Sequence, residues 1–169
     1  KPAPVAPPAG KPPQAQQQPA TPTPAPSSNA NANTQPAWNV RCGSVARQAP
    51  LECILEQQVV VQQTGQQLSL VSVRVPGDTR QPVMLVQLPL GMYLPGGLTL
   101  QVDEEKGQLV TIQSCDQRAC YVGLPVTTEM LTSLKKGQRL NLIIQSANRE
   151  TVTIPHPLAD FVDQYQKIQ

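Results

Sequence analysis

The chain has 169 residues, 19 of them proline, with 13 Lys+Arg against 11 Asp+Glu and one histidine. Its net charge of +2 lies in Lys1 and Lys11, and the remainder balances at 11 basic and 11 acidic residues. A neutral body lacks the footprint of a nucleic-acid binder, Lys135, Lys136 and Arg139 are too few for an anionic-lipid patch, and no apolar run reaches the roughly 20 residues of a membrane-spanning helix.

Residues 1–36 hold eleven of the prolines and no Leu, Ile, Phe, Tyr, Trp or Met. So little apolar side chain cannot offset the entropy of ordering a backbone. Pro and Ala with interspersed Gln favour an extended spacer. The chain therefore divides into a disordered tether, residues 1–36, and a folded domain, residues 37–169, large enough to bury roughly two-thirds of its unfolded surface. A start at Lys1 rather than Met carries the expectation of a cleaved signal peptide or a removed anchor.

Strand signals dominate after Trp38. A short run at 38–42 comes first, then 52–61 with Ile54, Leu55 and the β-branched Val59, Val60 and Val61. Gln63-Thr64-Gly65-Gln66 reads as a turn. Leu68, Leu70, Val71, Val73 and Val75 follow, mostly at period two, and Pro76-Gly77-Asp78 ends them. Further strands are expected at 83–88, at 98–102, from Leu109 through Val110 and Ile112 to Cys115, and at 121–126. Residues 128–135 suit a short helix: Thr127 or Thr128 can cap it, Glu129 favours its N-terminal dipole, and Gly137 can end it. Strands at 140–144 and 151–154 come next. Pro157 fits the first turn of a last helix carrying Leu158, Phe161, Val162, Tyr165 and Ile168 on one face. About eight short strands at near-regular spacing predict a mostly β fold, a small sandwich or barrel.

The four cysteines are Cys42, Cys53, Cys115 and Cys120. An even count in a small chain permits a disulfide framework with three connectivities. The local pairing, Cys42–Cys53 and Cys115–Cys120, suits neighbouring antiparallel strands for the first pair, joined by a turn-like stretch at 43–50, and a tight hairpin for the second. The alternative joins Cys42 or Cys53 to Cys115 or Cys120. A zinc site lacks its ligands: no Cys-x-x-Cys occurs, and His156 is the only histidine. Disulfides imply an oxidising compartment.

From Trp38 onward the chain resembles the invasion-associated locus B family of bacterial envelope proteins. The residues that carry the likeness are Trp38, Cys42 and Cys53, then Leu88-Pro89-Leu90-Gly91 and the run from Gly97 to Asp103. The segment Cys115-Asp116-Gln117-Arg118-Ala119-Cys120, Leu134-Lys135-Lys136-Gly137 and Pro157-Leu158-Ala159-Asp160-Phe161 complete it. Two features depart from the family: Asp160 stands where a glycine is usual, and the Pro-rich lead is long. The resemblance implies signal-peptide export, periplasmic or outer-membrane association, and a role in host-cell invasion or envelope physiology. It carries over no catalytic residue.

Catalytic chemistry finds little support in the residues. A nucleophile needs an adjacent base, and His156, between two prolines at a helix start, reads as a turn or capping residue. Ser133 and Lys136 are three apart on a solvated helix end. Asp103-Glu104-Glu105 is the only carboxylate cluster and lies in a turn; a hydrolase of envelope polymers would have to build its site from Asp103, Glu105 and Lys106. A lipid or small-ligand carrier would need an apolar cavity above about 300 Å³ inside a barrel. The five aromatics of the domain read as core, except Tyr93: in the Pro- and Gly-rich stretch 88–97, Met92, Tyr93 and Leu94 form a candidate partner-contact loop. The expected function is a non-catalytic interaction or structural module with a protein or envelope partner and no cofactor or metal.

Overall fold

The computed structural model describes residues 36–44 and 51–169. The expected tether (1–36), apart from Pro36, and residues 45–50 of the expected turn-like stretch lie outside the described residues. The first to be described, Pro36, already belongs to the fold, because its carbonyl accepts a 2.7 Å hydrogen bond from Gln57 Nε2.

Among the described residues, ten strands and two short α-helices follow in the order β1 (Asn39–Gly43), β2 (Glu52–Val60), β3 (Gln67–Arg74), β4 (Val83–Leu88), β5 (Leu98–Val102), β6 (Gln108–Val110), β7 (Ser114–Cys115), β8 (Cys120–Pro125), α1 (Thr128–Lys136), β9 (Arg139–Gln145), β10 (Thr151–Pro157) and α2 (Phe161–Tyr165). A 3-10 turn at Leu94–Gly96 precedes β5 and another, Gln166–Ile168, extends α2. The strands form a six-stranded sheet, β1-β2-β3-β4-β8-β7, and a four-stranded sheet, β10-β9-β5-β6, with antiparallel pairing throughout. The mostly β class expected from the alternation is the observed one, as a two-sheet sandwich.

The period-two pattern explains the core. Leu55, Val71, Val73, Met84, Val86, Leu88, Val122 and Leu124 point inward from the six-stranded sheet, and Leu98, Leu100, Leu140, Leu142, Ile144 and Ile154 from the four-stranded one. Each such side chain contributes about 1.5–3 kcal/mol by leaving water. Together they form one hydrophobic core between the two sheets.

The strand count rose because the run from Leu109 to Cys115 is not one strand. β6 pairs with β5 in the smaller sheet, and β7 pairs with β8 in the larger, so the chain changes sheets between them. Beyond β7 the side chain of Gln113 takes the place of a strand: its Nε2 donates to Gly123 O at 2.6 Å, and Gly123 N donates to its Oε1 at 3.0 Å. The open edge of β8 is thereby satisfied without a further backbone ladder.

Helix α1 starts as its sequence indicates, with Thr127 Oγ1 accepting from Met130 N. Its end differs in mechanism. Gly137 is extended, at φ −74°, and is required by space: a Cβ there would run into Val102 Cγ1 and the Ser133 carbonyl. The last helix also starts later than expected. Pro157 belongs to β10, opposite Arg139, and α2 begins at Phe161. Strand β10 is a sheet edge, where prolines at 155 and 157 remove no ladder donor that the sheet needs. Trp38 meets Phe161 edge-on at 5.1 Å, Phe161 stacks on Tyr165 at 5.6 Å, and the Lys135 ammonium lies 5.0 Å from the Tyr165 ring centre. These three aromatics are core; Tyr93 and Tyr121 are half-exposed.

Candidate functional site

At one end of the sandwich the inward positions are polar. Gln57 continues the face of Leu55 on β2, Ser69 that of Val71 on β3, and His156 that of Ile154 on β10. All three are buried, with exposures of 0%, 1% and 0%. Ser69 Oγ lies 2.8 Å from His156 Nε2, and His156 Nδ1 lies 2.8 Å from Gln57 Oε1. Gln57 Nε2 spends both protons on carbonyls, Pro36 O at 2.7 Å and Pro157 O at 2.9 Å. Its Oε1 is therefore an acceptor, so Nδ1 carries the imidazole proton and Nε2 accepts from the Ser69 hydroxyl. Pro157 O also accepts from Trp38 Nε1 at 2.8 Å, and Trp38 N donates to Asp160 Oδ2 at 3.0 Å.

The order Ser–His–Gln has the connectivity of a nucleophile, base and orienting group, but not the chemistry. Burial pushes the His156 pKa down to about 4, leaving a weak base. Gln57 has no charge to stabilise an imidazolium, and neither Ser69 nor His156 reaches the surface. The cluster is a satisfied polar seam joining β2, β3, β10 and the segment Pro36–Trp38. His156 is thus not a helix cap, because the strand runs past it to Pro157. The sequence reading missed Gln57 and Ser69; the available signal was their place in alternating apolar runs. Asp160, flagged as a departure, ties Trp38 to the start of α2.

The carboxylate cluster is divided by the fold. Asp103, at φ 48°, accepts from Gln138 N at 3.0 Å and Arg139 N at 2.9 Å and lines a polar depression with Glu104 and Asn141. Glu105 and Lys106 line a different depression, beside Glu129 and Ser133. Asp103 is engaged in fixing the α1–β9 connection, and the three residues are not brought into one site.

The loop before β5 is held firmly and shows apolar side chains. Met92 bridges to Ser146, and Tyr93 N donates to Gln145 O at 2.8 Å. Gly91 (φ 82°) and Gly97 (φ 66°) supply its turns. Met92 is not displayed: it packs against the core. Leu90 and Leu94 are displayed, at 49% and 46% exposure. Between them the Tyr93 ring lies 4.9 Å under the Arg149 guanidinium, which the left-handed turn at Arg149 (φ 64°) brings over from the β9–β10 hairpin.

Both disulfides join residues directly opposite in antiparallel strands: Cys42 with Cys53 and Cys115 with Cys120. Inside the second loop, Asp116 Oδ1 accepts from Arg118 N and Ala119 N, and Tyr121 Oη donates to Oδ2 at 3.0 Å. The two backbone donors hold the Asp116 carboxyl below its ordinary range, while the bond to Asp116 raises the Tyr121 phenol. No group of three or more His, Cys, Asp or Glu that could hold a metal occurs among the described residues.

A family model described as invasion associated locus B protein matches residues 38–169. The chain belongs to the invasion associated locus B family. Two curated invasion protein B homologues of Brucella abortus, from strain 2308 and biovar 1 strain 9-941, are each 27% identical over 106 residues. The match spans 62% of this chain and 59% of each homologue. The crystal structure of invasion associated protein B from Bartonella henselae shares the family fold at TM-score 0.68 and 22% identity, covering 80% of this chain and 92% of that one.

Proposed function

We propose that this protein is an exported envelope module that binds a protein or cell-envelope partner without catalysis, through the loop of Leu90, Tyr93 and Leu94 with Arg149. The observation that carries this reading is the fixed display of two leucines around a guanidinium-capped tyrosine. Tyr and Arg are the residue types that anchor interfaces, and a loop already held by backbone hydrogen bonds loses little entropy on binding. Family membership supports a place in invasion, and two disulfides support an oxidising compartment such as the periplasm or outer-membrane surface. The Pro-rich residues before Pro36 serve as a spacer; at about 3.1 Å per residue they span on the order of 100 Å when extended.

The test is affinity capture from envelope extracts with the full chain and with the double variant Tyr93→Ala, Leu94→Asp. The wild type retains an envelope or host protein that the variant loses at unchanged thermal stability. Equal capture by both, or capture by neither, refutes the assignment of this loop.

A further inference from the structure

The polar seam occupies the point where the chain enters the domain, and one amide connects its ionisable group to that point. Gln57 touches His156 with its oxygen and holds Pro36 O and Pro157 O with its nitrogen. Pro157 O in turn holds the Trp38 indole. These contacts are made by side chains, outside both sheet ladders. Strand β10 pairs only with β9, and its two prolines offer no N–H of their own. The seam can therefore part without unpairing a strand. It also lies close to water: a surface groove of about 390 Å³ is lined by Pro36, Gln58, Val59, Pro155, Pro157 and Arg139.

We propose that Gln57, Ser69 and His156 form a proton-operated latch, in which protonation of His156 frees Pro36–Trp38 from β10 while both sheets stay folded. The neutral ring donates once, to Gln57, and accepts once, from Ser69. A proton on Nε2 turns that acceptor into a donor. The Ser69 hydroxyl proton must then turn away so that its oxygen accepts from Nε2, and the buried ring carries a charge.

Among the described residues no neighbour answers that charge. On β2, Glu56 faces outward in an ion pair with Arg41 at 2.9 Å, and Glu52 lies exposed at the strand start. Arg74 ends β3 on the outer side, and Arg139 on β9 stands at the surface opposite Pro157. Asp160 is engaged by Trp38 N; Asp163 and Lys167 are exposed, and the Tyr165 phenol is neutral. Burial lowers the pKa of His156. Opening the seam toward the groove hydrates the imidazolium, and each pH unit below the ordinary histidine range moves that equilibrium about tenfold.

The chain contains a single histidine and a single tryptophan, so the unmodified protein reports on both ends of the latch. The full chain is titrated from pH 7.5 to 3.5. The His156 ring proton is followed by NMR, Trp38 by emission and acrylamide quenching, and the sheets by far-ultraviolet circular dichroism. The latch requires His156 to titrate well below pH 6, Trp38 to redden and become quenchable with the same midpoint, and the sheet signal to persist. Titration of His156 with Trp38 unchanged overturns it. So does loss of the sheet signal at the same midpoint, because the proton then unfolds the domain instead of parting the seam. The variant His156→Gln, where it folds, abolishes the pH response of Trp38.

Discussion

Removing Gln57 from beneath His156 tests the seam as a coupled unit. In Gln57→Leu, the buried Nδ1–H of His156 loses its acceptor, which costs about 1–3 kcal/mol. Pro157 O keeps its bond from Trp38 Nε1, and Pro36, at the surface end, can turn to water, so the two lost amide donors add about 0.5–1.5 kcal/mol each at most. The expected destabilisation is about 3 kcal/mol. His156→Leu strands Gln57 Oε1 and frees the Ser69 hydroxyl, at a cost of about 2 kcal/mol. The double variant replaces both partners by apolar groups and removes the orphan that each single variant creates. Its cost should fall below the sum by about 1–2 kcal/mol. Guanidinium unfolding at pH 7, followed by Trp38 fluorescence with unchanged m-values, measures all four corners of the cycle. Additivity within about 0.5 kcal/mol would show that the two side chains do not depend on each other.

The same histidine sets a pH dependence. Its folded pKa of about 4 lies below the ordinary 6.5, so the folded state favours the neutral ring. Its contribution is complete above pH 6.5 and is lost as pH falls toward 4, by about 3 kcal/mol in total; unfolding midpoints that stay level over that window contradict the burial of His156. Reducing the disulfides should cost on the order of 2–3 kcal/mol each in the chain-entropy model, and non-reducing peptide mapping that joins the 42–53 region to the 115–120 region would disprove the local pairing. Gly97→Ala should cost about 1–3 kcal/mol, because the residue sits at φ 66° with a Cβ position 2.8 Å from Val110 O. Gly77→Ala, with open space around it, should leave the melting temperature near that of the wild type, and equal shifts for the two would refute the packing argument.

Alternation alone was enough to read most of the strands, because inward and outward residues differ in polarity wherever one sheet face is buried. Leu98, Leu100 and Val102, or Leu140, Leu142 and Ile144, leave little freedom of assignment. The cap at Thr127 was equally local. The order of short motifs from Trp38 to Phe161 marked the family.

Long-range geometry was needed for the rest. Gln113 substitutes for a strand because Gly123 comes beside it in space, and no period in the sequence encodes that. Pro157 stayed in a strand because β10 lies at an edge, a fact about sheet order. His156 looked like a turn residue because two prolines flank it. It became a buried donor–acceptor when Gln57 and Ser69, 99 and 87 residues earlier in the chain, were folded against it. Side-chain period and local capping act over a few residues and are legible in one dimension. Which polar groups share a dry interior depends on how the two sheets meet, and only the tertiary structure decides it.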